Sequence, residues 1–190
     1  MTTIQSEEAQ EALRMVRETQ RQMRRMIAAG GAAYYLWLWG AIWMLGFGVE
    51  YFLGAGSPTV GWVWTGLDTL GFVLSMAIGW HFARRLRSPR GTSMGLFWAA
   101  WLVYGALIIY FAQPQDANRL TLLIALFVML AYVITGVLYR SRFFVSLGIA
   151  LTVLTLVGFV FFPGAFSLWM AVVGGGGLIL AGVYIWWAWR

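Results

Sequence analysis

The stretch "FFVSLGIALTVLTLVGFVFFPGAFSLWMAVVGGGGLILAGVYIWWAW", residues 143–189, contains no charged residue and no histidine. A single helix of this length would extend about 70 Å at 1.5 Å per residue, whereas the hydrocarbon core of a bilayer is about 30 Å thick. Pro163 and Gly164 near its middle form a turn signal. The stretch therefore predicts two membrane-spanning helices that are joined at this turn.

The rest of the chain divides in the same way, and it is 61% hydrophobic and only 11% charged. Soluble domains carry about 25% charged residues. The apolar runs are continuous and lack the alternation of barrel strands. The sequence therefore predicts an all-α polytopic membrane protein, a bundle of six transmembrane helices within residues 30–190. The predicted spans are 31–53, 61–83, 94–112, 120–139, 143–162 and 166–188, and all four prolines fall between them.

The basic residues are distributed very unevenly over these predicted spans. The chain has no Lys, and of its 13 Arg only Arg119 lies on the side where spans 1, 3 and 5 end. By the positive-inside rule, both termini are expected in the cytoplasm of a bacterial-type inner membrane. The net charge of +6 is then explained by the orientation in the membrane and does not indicate nucleic-acid binding. The expected partners are the lipid bilayer and the anionic lipids of its inner leaflet.

Residues 1–29 form a separate, polar element. The segment "SEEAQEALRMVRETQRQMRRM", residues 6–26, is rich in helix formers and has no Gly or Pro. Leu13, Val16, Met23 and Ile27 follow helical spacing beside a row of arginines. This pattern predicts a cytoplasmic amphipathic helix on the membrane surface. The alternative is a short coiled coil or docking helix, in which residues 5–28 bind a protein partner.

The spans also contain a candidate threefold hairpin repeat. The even spans end on "AIGWHFARR", "VITGVLYRSR" and "ILAGVYIWWAWR", and the odd spans on "GFGVEYF", "GALIIYF" and "TLVGFVFFP". Each even span has a glycine about one turn before an aromatic and arginine exit. The repeated unit is a helical hairpin that crosses the membrane outward and then returns.

In this respect the chain resembles the bacterial six-span family of hairpin repeats that is linked to acid resistance. The resemblance rests mainly on residues 146–185, which have glycine in mid-span, a Phe-Pro turn and glycines in the returning helix. It implies an inner-membrane stress protein without a defined catalytic site.

Catalytic and cofactor motifs are absent from the sequence. It contains no Cys, a single His, no G-x-S-x-G and no H-E-x-x-H, and no glycine-rich motif with the Lys and Ser/Thr of a phosphate loop. We therefore expect a protein that is not an enzyme, with no catalytic residue, no metal and no cofactor.

Two acids lie within the spans, Glu50 near the outer end of span 1 and Asp68 about two turns inside span 2. Because acids in a bilayer are costly, they mark candidate functional sites. Small and aromatic residues share both acidic helical faces, so we expect both to point inward. In a hairpin that turns near Ser57, residue 50 is expected to face residue 64, and residue 46 to face residue 68. One hypothesis is an outward-facing pocket for a proton, cation or amine. The alternative is structural: Glu50 reaches the head groups, and Asp68 accepts hydrogen bonds from Trp or Tyr.

Other polar residues are weaker candidates. Ser75 shares the Asp68 face, while Tyr132 and Thr135 share a face of span 4 and either line a cavity or bond between helices. His81 at the inner end of span 2 is either an interfacial side chain or a proton port.

Glycines 174–177 interrupt span 6, either as a helix break that builds a site or as a seam between packed helices. Gly174, Gly175 and Gly182 lie on one small-residue stripe, which favours the seam. The aromatic residues of span 1 are the predicted filling.

Two functions are favoured by these features, ahead of a membrane enzyme that would need Glu50, Asp68 and His81 to converge. The first is a non-enzymatic inner-membrane protein that acts in envelope stress or through a membrane partner. The second is a small proton- or cation-linked transporter or channel that uses Asp68 and Glu50.

Overall fold

The computed structural model describes residues 10–11, 13–15, 18–19, 21–22, 24–25, 27–28, 31–84 and 89–189, and all regular structure among them is helical. The long helices are α1 (Ala32–Leu53), α2 (Pro58–Ala83), α3 (Pro89–Ala112), α4 (Ala117–Leu138) and α5 (Arg142–Phe161). A 3-10 turn (Pro163–Ala165), α6 (Phe166–Trp169), a π-helical segment (Met170–Gly175) and α7 (Gly176–Ala188) follow. These last four elements form the sixth span, Pro163–Ala188.

Six of the described helices are long and apolar enough to cross a membrane, which confirms the predicted all-α polytopic architecture. The prolines play a different part from the one expected. Pro58, Pro89 and Pro163 begin helical elements instead of lying between them. A proline is compatible with the first helical turn because the N–H group there has no intrahelical partner.

The helices do not pack as three equivalent hairpins. α1 lies between α2 and the sixth span, the sixth span also contacts α5, and α5 packs along α4. The most extensive contacts join α4 with α5 and α1 with the sixth span, so they connect different predicted hairpins. α3 makes a smaller contact with α4, through the ring of Trp101 stacked 4.3 Å from that of Phe127.

Glycines form the contact between α1 and the sixth span. A Cβ atom at Gly175 would lie 2.7 Å from the carbonyl oxygen of Gly40 and 2.7 Å from the amide nitrogen of Met44. Gly174 lies against the ring of Trp43, and Gly182 against that of Trp37. Aromatic residues of α1 therefore fill the stripe at two of its three glycines, whereas at Gly175 the two backbones touch directly.

The glycine stretch does not break the helix. Gly175 and Gly176 have ordinary right-handed helical dihedrals, and the helix widens into a π-helical turn over Met170–Gly175 before α7 continues it. Because these dihedrals suit any residue, the glycines provide space and not conformational freedom.

α2 and α3 are the most exposed spans. Only 6% of the most apolar window of each is buried, against 28–44% for the other four spans. The core instead lies among α1, α4, α5 and the sixth span. Its largest fully buried side chains are Phe166, Leu36, Met129, Met170, Leu178 and Ile185.

The described residues of the amino-terminal segment are helical, and those near its end pack on the bundle. Ile27 and Ala28 contact the core, and the Arg24 guanidinium lies 5.8 Å from the ring centroid of Trp189. Leu13 and Met15 are more than half exposed. Val16, Met23 and the predicted start of this helix at residues 6–9 lie outside the described residues.

Candidate functional site

Glu50 is a buried acid that holds three parts of the bundle together. Its side chain is only 5% exposed although it lies one turn from the end of α1. The indole N–H of Trp64 on α2 donates to Oε2 at 3.0 Å, and the hydroxyl of Ser167 on α6 donates to Oε1 at 2.7 Å. Both carboxylate oxygens therefore accept a hydrogen bond from a different element.

Local sequence explains how this arrangement forms. Gly46 lies one turn before Glu50, and its missing side chain leaves room for the six-membered ring of Trp64. Phe47 meets the same indole edge to face at 4.7 Å. The turn that begins at Pro163 carries Ser167 to the acid. The predicted opposition of residues 50 and 64 across the first hairpin is confirmed.

The structural expectation that Glu50 reaches the head groups does not describe its surroundings, because two donors hold the carboxylate inside the bundle. The outward-facing pocket stays a prediction. The sequence offered little signal for Ser167, whose only distinguishing feature is a hydroxyl one turn after a Phe-Pro turn.

Asp68 has the opposite environment. It lies ten residues after the start of α2, about 15 Å along a helix of about 39 Å, and hence near the helix midpoint. Its side chain is exposed, and among the described residues it makes no hydrogen bond or ion pair. The prediction that both acidic faces point inward is therefore right for Glu50 and wrong for Asp68.

The reason is a small angular offset around α2. Gly71 and Ser75 face α1, where Gly71 meets Ile42 and Ser75 accepts a hydrogen bond from the indole of Trp39 at 3.1 Å. Asp68 follows the same helical spacing but lies at the edge of the side that faces α1. Its side chain is on the part of α2 that no other described helix covers. Ser75 is thus a contact between α1 and α2 and is not a partner of Asp68.

Tyr132 and Thr135 of α4 do not join the two acids. The ring of Tyr132 stacks parallel to that of Phe144 on α5, at 6.2 Å. The Thr135 hydroxyl is buried and has no hydrogen-bond partner among the described residues. His81 is exposed in the last turn of α2 and meets the ring of Phe82 edge to face. The predicted polar residues therefore do not come together as one site.

The described arginines around the bundle lie at its two ends. Arg24, Arg84, Arg140 and Arg142 lie at the end that holds the α4–α5 turn, here called the basic end. Arg119 lies at the opposite end and pairs with Asp116, the N-cap of α4, at 3.2 Å. Two cavities lie at the basic end, and both are lined by Arg140 and Arg142.

No family model matches this chain, and comparisons with curated proteins and with solved structures find no match. Within the described ranges, no three His, Asp or Glu side chains are grouped as metal ligands would be. The fold and the six apolar spans define the class: a polytopic α-helical integral membrane protein.

Proposed function

We propose that this protein is a non-enzymatic membrane protein that works by binding another membrane protein through one face of α2. The observation that carries the proposal is the exposed Asp68 carboxylate near the midpoint of a spanning helix. An Asp at the bilayer centre costs about 2.5–3.5 kcal/mol on insertion scales. A partner that supplies a cation or hydrogen-bond donors removes this cost, which favours association.

The surroundings of Asp68 suit a second helix. The exposed residues that share its side of α2 follow one another at helical spacing, and we call them the Asp68 face: Gly61, Thr65, Asp68, Phe72 and Met76. A Cβ atom at Gly61 would meet nothing within 4 Å, so the start of the face is open. The Thr65 hydroxyl is satisfied by the carbonyl of Gly61. Small residues of this kind allow close approach of another helix backbone.

Charge complementarity identifies the chemistry of the partner. A lone carboxylate in hydrocarbon is best matched by a basic side chain on a neighbouring transmembrane helix. This chain has no Lys, and its Arg and His residues lie outside the spans or at their ends. A second copy would therefore bring no cation to the depth of Asp68. We propose a different protein, with a Lys, Arg or His in one of its spans.

Site-specific photocrosslinking in native membranes tests this proposal. The chain has no cysteine, so Phe72→Cys provides a unique thiol on the Asp68 face for a benzophenone maleimide. Val153→Cys is the matched control, because Val153 is 53% exposed near the midpoint of α5. We expect a discrete adduct above the 21.3 kDa of the chain from position 72 only, lost on addition of Asp68→Asn.

Three results would contradict the proposal. Equal adducts from positions 72 and 153 would mean that the Asp68 face has no special partner. An adduct that persists in the Asp68→Asn variant would show that the carboxylate does not contribute to partner binding. An adduct between two differently tagged copies of this chain would replace the foreign partner by a homodimer.

The stress role extends this proposal. The resemblance of residues 146–185 to the acid-resistance family supports it, and the arginine distribution supports an inner-membrane location with cytoplasmic termini. Residues 5–28 would then offer a second, cytoplasmic contact to a protein partner. In a strain that lacks the gene, wild type is expected to restore survival of acid shock, whereas Asp68→Asn is not.

The second candidate is a small proton- or cation-linked transporter or channel that uses Asp68 and Glu50. One observation favours it: the buried carboxylate of Glu50 contacts α2 and the sixth span at once, so a change in its protonation would act on both. Proteoliposome flux separates this function from the first.

A further inference from the structure

A small cavity at the basic end collects three arginines from separate elements. Its volume is about 40 Å³, which is room for about three waters and so for a group the size of a phosphate. It is lined by Arg24, Ile27 and the segment from Tyr139 to Phe143. Arg24 comes from the amino-terminal helix, Arg140 from the α4–α5 turn and Arg142 from the first turn of α5.

The positive charge of this cavity is not neutralised by the described part of the chain. The guanidinium groups of Arg140 and Arg142 make no ion pair there, and no described acid lines the cavity. The Ser141 side chain makes no capping bond at the start of α5, and the first backbone bond runs from the amide of Val145. The amides of the first turn, the positive end of the helix, therefore add to the attraction for an anion.

Arg140 is held in a conformation that its side chain disfavours. Its φ is +49°, in the left-handed region, and it ends α4 where glycine is the usual residue. The amide of Arg140 bonds to the carbonyl of Val137, and that of Ser141 to the carbonyl of Gly136, which is the pattern of a Schellman motif. Strain of this kind persists where a side chain serves a function. From this turn Arg140 lines the cavity.

An apolar groove leads away from the same residues. It has a volume of about 490 Å³ and shares Arg140, Ser141 and Arg142 with the cavity. Its other walls are Gly136, Val137, Val145 and Ser146, where α4 and α5 pack together. A cationic cavity beside an open groove at the α4–α5 turn matches a phosphate head group attached to an acyl chain.

We infer that this end of the bundle is a specific site for an anionic phospholipid, with the phosphate among Arg24, Arg140 and Arg142 and an acyl chain in the groove at the α4–α5 turn. The site is independent of the Asp68 face. Binding the lipid would also fix the end of the amino-terminal helix, because Arg24 contributes to the cavity and stacks on Trp189 of the sixth span.

Native mass spectrometry of the full chain in detergent tests the site with phosphatidylglycerol, phosphatidylcholine and inorganic phosphate as probes. Arg140→Gly is the central variant, because it removes the side chain and relieves the left-handed strain. Arg142→Gln removes a second charge. Arg84→Gln is the matched control, since Arg84 is exposed at the same end, over Trp80, and does not line the cavity.

We expect wild type to retain phosphatidylglycerol over phosphatidylcholine. Arg140→Gly and Arg142→Gln should each weaken that retention by about fivefold. Arg140→Gly should not lower the melting temperature, which separates loss of the site from loss of the fold. Displacement of phosphatidylglycerol by inorganic phosphate would confirm the shared phosphate chemistry but overturn the acyl groove.

Two results would overturn the site itself. The first is equal retention of phosphatidylglycerol and phosphatidylcholine by wild type. Alternatively, Arg84→Gln weakens retention as much as Arg140→Gly does, so that the attraction belongs to the whole basic end and not to the cavity.

Discussion

The hydroxyl of Ser167 lies 2.7 Å from Glu50 Oε1, and the two residues are separated by 117 positions in the chain. This bond joins the end of the first span to the start of the sixth. The indole of Trp64 donates to the other carboxylate oxygen and so joins α2 to the same acid. A buried acid held by donors from two other elements stabilises one arrangement of these span ends, because its removal leaves buried donors without acceptors.

Ser167→Ala is expected to lower the free energy of unfolding by about 1 kcal/mol, the scale of interhelical hydrogen bonds in membranes. Glu50→Ala should cost about 1–3 kcal/mol, because it leaves both the indole and the hydroxyl donor unsatisfied. Denaturation of the purified protein in mixed micelles measures both. In a double-mutant cycle, additive effects of the two substitutions would show that the bond contributes nothing.

Gly175→Ala is expected to destabilise the bundle by about 1–3 kcal/mol, because its methyl group would meet the backbone of α1 at 2.7 Å. Gly176→Ala is the matched control one residue away. Its methyl group would meet only Met44 Cε at 3.8 Å, so stability should be unchanged or slightly raised. Thermal unfolding of the two variants compares them directly, and equal melting temperatures would contradict the close backbone contact.

The topology follows from labelling of single cysteines. Gly56→Cys, in the α1–α2 turn, and Gln115→Cys, before α4, are expected to react with an impermeant maleimide on intact cells, because the positive-inside rule places these turns outside. Glu18→Cys should react only after permeabilisation. Labelling of Glu18→Cys on intact cells would show that the orientation is opposite to the predicted one.

Proteoliposomes that contain the protein are expected to show no proton or cation flux above empty liposomes, because partner binding needs no route across the membrane. Wild type, Asp68→Asn and Glu50→Gln are compared under the same gradient. A wild-type flux that either substitution abolishes would favour the transporter alternative over the partner protein.

Much of this fold follows from the order of apolar and polar residues. The span boundaries agree with the predictions to within five residues. The reason is that the thickness of the hydrocarbon core sets the length of each apolar run, which is visible in the sequence. The candidate site could be predicted less well from the sequence. Helical register correctly opposed residues 50 and 64, but it could not tell that Asp68 lies at the margin of the same contact.

By itself, the sequence determined that the protein lies in a membrane, how many times it crosses and which end of the bundle is basic. Only the tertiary structure decided which helices are neighbours, that Glu50 is enclosed by Trp64 and Ser167, and that Asp68 is exposed. The physical reason is that bilayer insertion depends on each segment separately. Packing depends on close contacts between distant residues, such as Gly40 with Gly175, and these contacts choose one arrangement among many with the same hydrophobicity.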